Sequence, residues 1–181
     1  MKARRRARAV ALTSILVCTT AATAVAQPDQ TQARLAGTFQ LTGHVTVAHH
    51  VRGEHVGEVV QRTWAFTPLC ATGPCAQVRL VRGRATGTDS LILTQTSAGH
   101  YAGSGRFFAP LKCAGNVHPG GEEIPFKIKV HITASTTAAD GTLVVSAISA
   151  TYVNKSRLNL TRCVIVLGHD SARYSGSVVP S

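Results

Sequence analysis

The chain has 181 residues, 44% of them hydrophobic and 15% charged, with 19 lysines and arginines against 8 acids and a formal net charge of +11. One sizeable core fits within that length. So few carboxylates speak against chemistry that needs converging acid pairs.

Much of the basicity sits at the start. Lys2, Arg4, Arg5, Arg6 and Arg8 precede an uncharged, mostly apolar run at 9–17, and Ala24-Val25-Ala26 offers small residues for a signal peptidase. Residues 1–26 therefore read as a secretory signal peptide, leaving Gln27 first in the mature chain. The uncharged stretch reaches about the shortest spanning length. Thr13, Ser14, Thr19, Thr20 and Thr23 dilute it, however, and no basic stop-transfer cluster follows. Val17 stands before Cys18 where a lipoprotein signal wants a small residue. With the leader go five of the 19 basic residues, so 14 face 8 acids and the mature net charge is +6.

Residues 27–35 are polar and expected as a flexible segment, and 36–181 as one disulfide-stapled β domain. Period two dominates the rest of the chain, and helical periodicity is nearly absent. Phe39, Leu41, Val45 and Val47 alternate with polar residues, and Val56, Val60, Trp64 and Phe66 share a face of the next segment. Val78 and Leu80 lead a third strand, and residues 91–96 make a fourth. Residues 101–108 make a fifth, where Gly103 and Gly105 predict a bulge or sharp bend. Ile124, Phe126, Ile128, Val130 and Ile132 alternate with Lys127, Lys129, His131 and Thr133, one face core and the other wet and basic. Ala139-Asp140-Gly141 is a turn into residues 143–152. Strands at 158–167 and 172–178 complete the set. This pattern predicts an all-β fold: a single antiparallel β-barrel of lipocalin-like size, or a β-sandwich, of about eight or nine strands.

Four cysteines survive the leader: Cys70, Cys75, Cys113 and Cys163. In an exported chain an even count predicts two disulfides. The Gly73-Pro74 turn brings Cys70 to Cys75, leaving Cys113 for Cys163. A second close cysteine pair is lacking, so thiolate metal binding is not expected.

The string Trp64-Ala65-Phe66-Thr67-Pro68-Leu69-Cys70-Ala71-Thr72-Gly73-Pro74-Cys75, with Val78-Arg79-Leu80-Val81-Arg82 behind it, resembles uncharacterised secreted domains of high-GC Gram-positive bacteria. The likeness rests on W-x-F-x-P-x-C-x-x-G-x-C and implies a β-rich secreted domain, with no agreed activity to carry over. Physically, Trp64 and Phe66 fill a core, Pro68 ends ladder pairing and the bridge closes the turn.

Catalytic signatures are missing: no G-x-S-x-G, no H-E-x-x-H, no phosphate loop and no dinucleotide fingerprint. Glu54, Glu58, Glu122, Glu123 and the four aspartates read as solvated surface groups. No catalytic residues, metal or cofactor are expected. His44, His49, His50 and His55 crowd one strand and its loop with poor ligand spacing, while His100, His118, His131 and His169 are scattered. Together they add positive charge in acid. Arg79, Arg82 and Arg84 on one strand and Lys127 and Lys129 on another are candidate anion-binding residues if those strands are neighbours. The alternative is a solvated cationic face that keeps an exported protein soluble. The run Cys163-Val164-Ile165-Val166-Leu167 is apolar on both strand faces, so it is either covered or a contact surface.

The expectation is a secreted, non-catalytic binding domain facing an anionic envelope polymer, a small apolar ligand or another secreted protein. Specific nucleic-acid binding is not expected, and membrane contact only in transit through the leader. The alternative is a protease inhibitor presenting the Cys70–Cys75 loop, and after it a hydrolase.

Overall fold

Strict alternation puts every second side chain on one face of a strand, and a sheet of such strands buries that face by curling closed. The computed structural model, which describes residues 29–51, 53–84 and 87–180, shows this outcome. The leader expected at 1–26 lies outside the described residues. The strands are β1 (Gly37–His49), β2 (Val59–Pro68), β3 (Gln77–Arg84), β4 (Gly87–Ser97), β5 (His100–Cys113), β6 (Asn116–Thr137), β7 (Leu143–Asn154), β8 (Leu158–Asn159) and β9 (His169–Val178).

Each strand pairs antiparallel with the next from β1 to β7. β7 then pairs with β9 and β9 returns to β1, which closes an eight-stranded up-and-down barrel. Barrel rather than sandwich is therefore the fold. β8 is an extra strand on the outer part of β6, through Glu122↔Asn159 and Glu123↔Leu158. The outer halves of β5 and β6 run past the barrel rim, and with β8 they form a three-stranded flap.

The interior is filled by side chains. Phe39, Leu41, Trp64, Val78, Leu80, Leu93, Tyr101, Ile128 and Val130 are all almost fully buried. Every inward residue expected on β6 from Ile124 to Ile132 is buried, while Lys127, Lys129 and His131 are exposed. Gly103 and Gly105 do not mark a bulge: the register of β5 slips at Ala109/Leu111 instead. They make room. A Cβ on Gly105 would lie 2.5 Å from the ring of Phe126, its cross-strand partner, and one on Gly103 would lie 2.8 Å from Leu93. Gly43 does the same for Tyr174, directly opposite on β9.

The floor is the end bearing the β2–β3 connection. Of the segment expected to be flexible, Gln30–Gln32 forms a 3-10 turn, and Ala33 and Leu35 are packed into the core. The Arg34 amide donates to the Leu143 carbonyl at 2.8 Å, and its guanidinium donates to the carbonyls of Cys70 (2.8 Å) and Gly73 (3.1 Å). Cys70–Cys75 and Cys113–Cys163 are both bridged, with Cα separations of 5.6 and 6.0 Å. The Tyr101 hydroxyl donates to the Cys75 carbonyl at 3.0 Å and so fastens the small loop under the barrel.

Two strand expectations are corrected. Val56 lies in the β1–β2 loop and is exposed, because β2 begins only at Val59. The strand expected over 158–167 stops at Asn159. There the Asn159 carboxamide oxygen accepts from the Thr161 amide (2.8 Å) and its nitrogen donates to the Cys163 carbonyl (2.6 Å). That turn carries the chain away from β6, and residues 163–168 are outside any strand.

Candidate functional site: a cationic groove on the barrel wall

Two regions gather polar side chains, and they differ in kind. The first lies inside the rim opposite the floor. Val78, Leu80 and Arg82 share one parity on β3, as do Asp89, Leu91 and Leu93 on β4, so Arg82 and Asp89 enter the interior as cross-strand partners. Asp89 accepts two hydrogen bonds from Arg82, at 2.8 and 2.7 Å, and pairs with Arg84 Nε at 2.9 Å. The Arg82 guanidinium also covers the Phe126 ring at 3.9 Å, and that of Arg84 covers Phe107 at 4.1 Å. Across the rim, Arg157 pairs with Asp170 (2.8 Å) and Glu122 (3.4 Å). Burial works against the Arg157 charge, but its hydrogen bond to Asp170 and the charges of Asp170 and Glu122 outweigh it and raise its pKa. Burial, then the Asp170 charge, likewise raises the Glu54 carboxyl and the Tyr152 phenol.

The expectation that all the acids are solvated surface groups fails here, because Glu122 and Asp170 are buried and Asp89 is nearly so. Parity and an arginine partner put them inside. Opposite charges at this rim satisfy one another.

The second region is on the outside, across β5, β6, β7, β9 and β1. Ala102, Lys129, Thr151, Arg173 and His44 stand in one row through successive strand pairings. The adjoining row is His100, His131, Ser149, Ser175 and Thr42. His100 and His131 stack face to face, ring centroids 4.2 Å apart. Between these rows lies a groove of about 520 Å³ lined by Lys129, His131, His100, Arg173, Ser149 and Thr151 among others. No carboxylate lines it. Lys127 extends the positive charge one row further, opposite Ser104 and Val153. Lys129 and Arg173 sit two inter-strand spacings apart, about 10 Å between Cα atoms.

The five candidate anion-binding residues thus separate. Lys129 lines the groove and Lys127 stands one row beyond it, whereas Arg82 and Arg84 are inside with Asp89. Arg79 is exposed on β3, which β4 and β5 separate from β6. Sequence reasoning missed Arg173 and His100, which complete the groove. Their signal was outward parity alone, and only strand order reveals that they adjoin Lys129.

Among the histidines, His49 stacks on its cross-strand partner His169 with centroids 4.9 Å apart, and β1 ends there, so His50 leaves the strand in a left-handed conformation. His118 lies with Cys113 and Cys163, their ligand atoms mutually within 4.8 Å. Both sulfurs are bonded to each other, so they are not thiolate donors in this form.

Two disulfides fit an extracytoplasmic location. No helix among the described residues is long and apolar enough to cross a membrane. No family model, curated protein or solved structure matches the chain.

Proposed function

We propose that this protein is a secreted, non-catalytic binding module whose wall groove holds an anionic polymer of the cell envelope. The observation that carries the reading is the lining of the groove: Lys129, Arg173 and two imidazoles stand among serine and threonine hydroxyls and the apolar Ala102, Val130 and Ala150, with no acid beside them. Cations two strands apart suit a ligand with repeated negative groups, and hydroxyls supply donors to its oxygens. The export leader and the two bridges support placement outside the cytoplasm.

The filled interior favours the wall over the lumen as the ligand site. The inhibitor reading is weakened by the small loop itself. Gly73 has φ of +67°, and Arg34 grips two of the loop's carbonyls from below, whereas a protease cleft takes an extended strand. The rim carboxylates Asp89, Asp170 and Glu122 are each held by arginine, which leaves them poorly placed to move protons.

The test is retention of purified mature protein on a phosphate-bearing wall polymer against a salt gradient, with Lys129→Glu/Arg173→Glu as the variant. Reversing two charges changes the local balance by four. At about 1 kcal/mol per cation near an anionic surface, affinity is expected to fall at least tenfold. Retention that is insensitive to salt, or equal for the variant, overturns the groove as the site.

A further inference from the structure

We infer that the flap beyond the barrel rim is a docking surface for anionic phospholipid, independent of the wall groove. Its outward face carries exposed apolar side chains on the strands flanking the Arg106–Glu123 ion pair. Phe108 and Leu158 both stand opposite Glu123, one on each side, and are 51% and 49% exposed. Val117 stands opposite Lys112 on the same face of the β5–β6 hairpin. The Leu160 amide donates to the Gly121 carbonyl at 2.9 Å, which continues the patch along β6. Beyond it, Val164 is fully exposed and Val166 is 72% exposed. Single exposed aliphatic residues are ordinary, but this many gathered at one end of a small domain mark a contact surface.

The surface is also held in place. Cys113–Cys163 ties the loop carrying Val164–166 to the hairpin tip, and the Asn159 bond to the Cys163 carbonyl fixes the turn before it. Holding the apolar loop in position lowers the ordering cost of docking it.

Charge selects the partner. Lys112, Lys155 and Arg162 are exposed around the patch. The acids of the flap are neutralised from within the molecule, Glu122 by Arg157 and Glu123 by Arg106 at 3.3 Å. An apolar tip inside a cationic rim matches the boundary of an anionic bilayer, where aliphatic side chains enter between headgroups and lysines meet phosphates. A second copy of this chain would bring the same positive rim against it.

The experiment is co-sedimentation of the oxidised mature protein with vesicles of phosphatidylglycerol and phosphatidylcholine, and with vesicles of phosphatidylcholine alone. Wild type is expected to sediment with the anionic vesicles at least tenfold more tightly than with the neutral ones. Val164→Asp/Val166→Asp changes side chains that the fold does not bury, and it is expected to lower binding to anionic vesicles at least tenfold. Lys129→Glu/Arg173→Glu is expected to retain flap-dependent binding, which separates failure of the flap from failure of the groove. Absent sedimentation, equal binding by the valine variant, or equal binding to neutral vesicles overturns the inference. A vesicle-independent dimer in sedimentation velocity that the valine variant abolishes would assign the patch to a second copy instead.

Discussion

Asp89 is where the interior charge network is most exposed to perturbation. Its carboxylate is the shared acceptor of two arginines, with side-chain exposures of 9% for Asp89, 6% for Arg82 and 18% for Arg84. Asp89→Ala removes two hydrogen bonds and an ion pair together, and leaves two like charges on neighbouring inward positions of one strand. Breaking a buried pair by deleting one partner costs about 3–5 kcal/mol, because an uncompensated charge stays out of water. The Phe126 and Phe107 faces offset part of this, since cation–π contacts contribute about 0.5–2 kcal/mol each. The expected loss for Asp89→Ala is therefore about 3 kcal/mol, read as a shift of the urea midpoint at unchanged slope. The control is Arg82→Met/Asp89→Leu, which removes both partners with apolar replacements and is expected to lie much closer to wild type than Asp89→Ala. A loss under about 1 kcal/mol for Asp89→Ala at pH 7 would refute the claim that this carboxylate holds the mouth together.

Two further perturbations probe the staple and the rim. Cys113→Ser/Cys163→Ser opens a loop spanning 50 residues. The chain-entropy estimate gives a loss of about 4 kcal/mol, against about 2 kcal/mol for Cys70→Ser/Cys75→Ser, so denaturant midpoints should fall in that order. Glu54 tests pH dependence. Burial, then Asp170, raises its carboxyl above the ordinary glutamate value of 4.5, so the folded state binds the Glu54 proton more tightly than the unfolded chain. Its contribution to stability is then full below that value and is lost as pH rises through the raised one. Glu54→Gln is expected to remove this loss, appearing more stable than wild type at neutral pH, with the difference shrinking in acid. A constant difference across the titration would contradict the assignment.

Much of the fold was legible because the barrel is built from local alternation. Five inward residues from Ile124 to Ile132 and their polar neighbours define β6 without tertiary information, and the two cysteine pairs follow from spacing and elimination. The arginines of β3 show where pattern reading stopped short. Arg82 has the parity of Val78 and Leu80, which put it inside, but a charge in a core position reads as an exception until Asp89 is seen opposite it. The apolar run after Cys163 misled for the opposite reason. Its composition suits a strand, yet strand formation needs a free edge, and the Asn159 turn carries it away from the one it would follow. The groove was half legible: Lys127 and Lys129 were visible as an outward basic face. Arg173 joins them from 44 residues further on, and that adjacency exists only because β9 returns between β7 and β1.

The rim and the wall are linked by where the acids go. The chain sets 8 acids against 19 basic residues, and three of those acids, Asp89, Glu122 and Asp170, are turned inward and held by arginines. Glu123 is occupied by Arg106, Asp29 caps the 3-10 turn before β1, Asp140 sits in the floor-side turn after β6, and Glu54 and Glu58 belong to the β1–β2 loop. What lines the groove on β5, β6, β7 and β9 between the rim and the floor is cationic, hydroxylic or apolar, with no acid. A dispersed set of carboxylates would have neutralised that wall by proximity, since opposite charges within a Debye length of about 8 Å cancel much of each other's field. Drawing acids inward does two things at once: it pairs the rim arginines, and it leaves the groove without a carboxylate. This charge distribution supports the wall, rather than the lumen, as the ligand site proposed above.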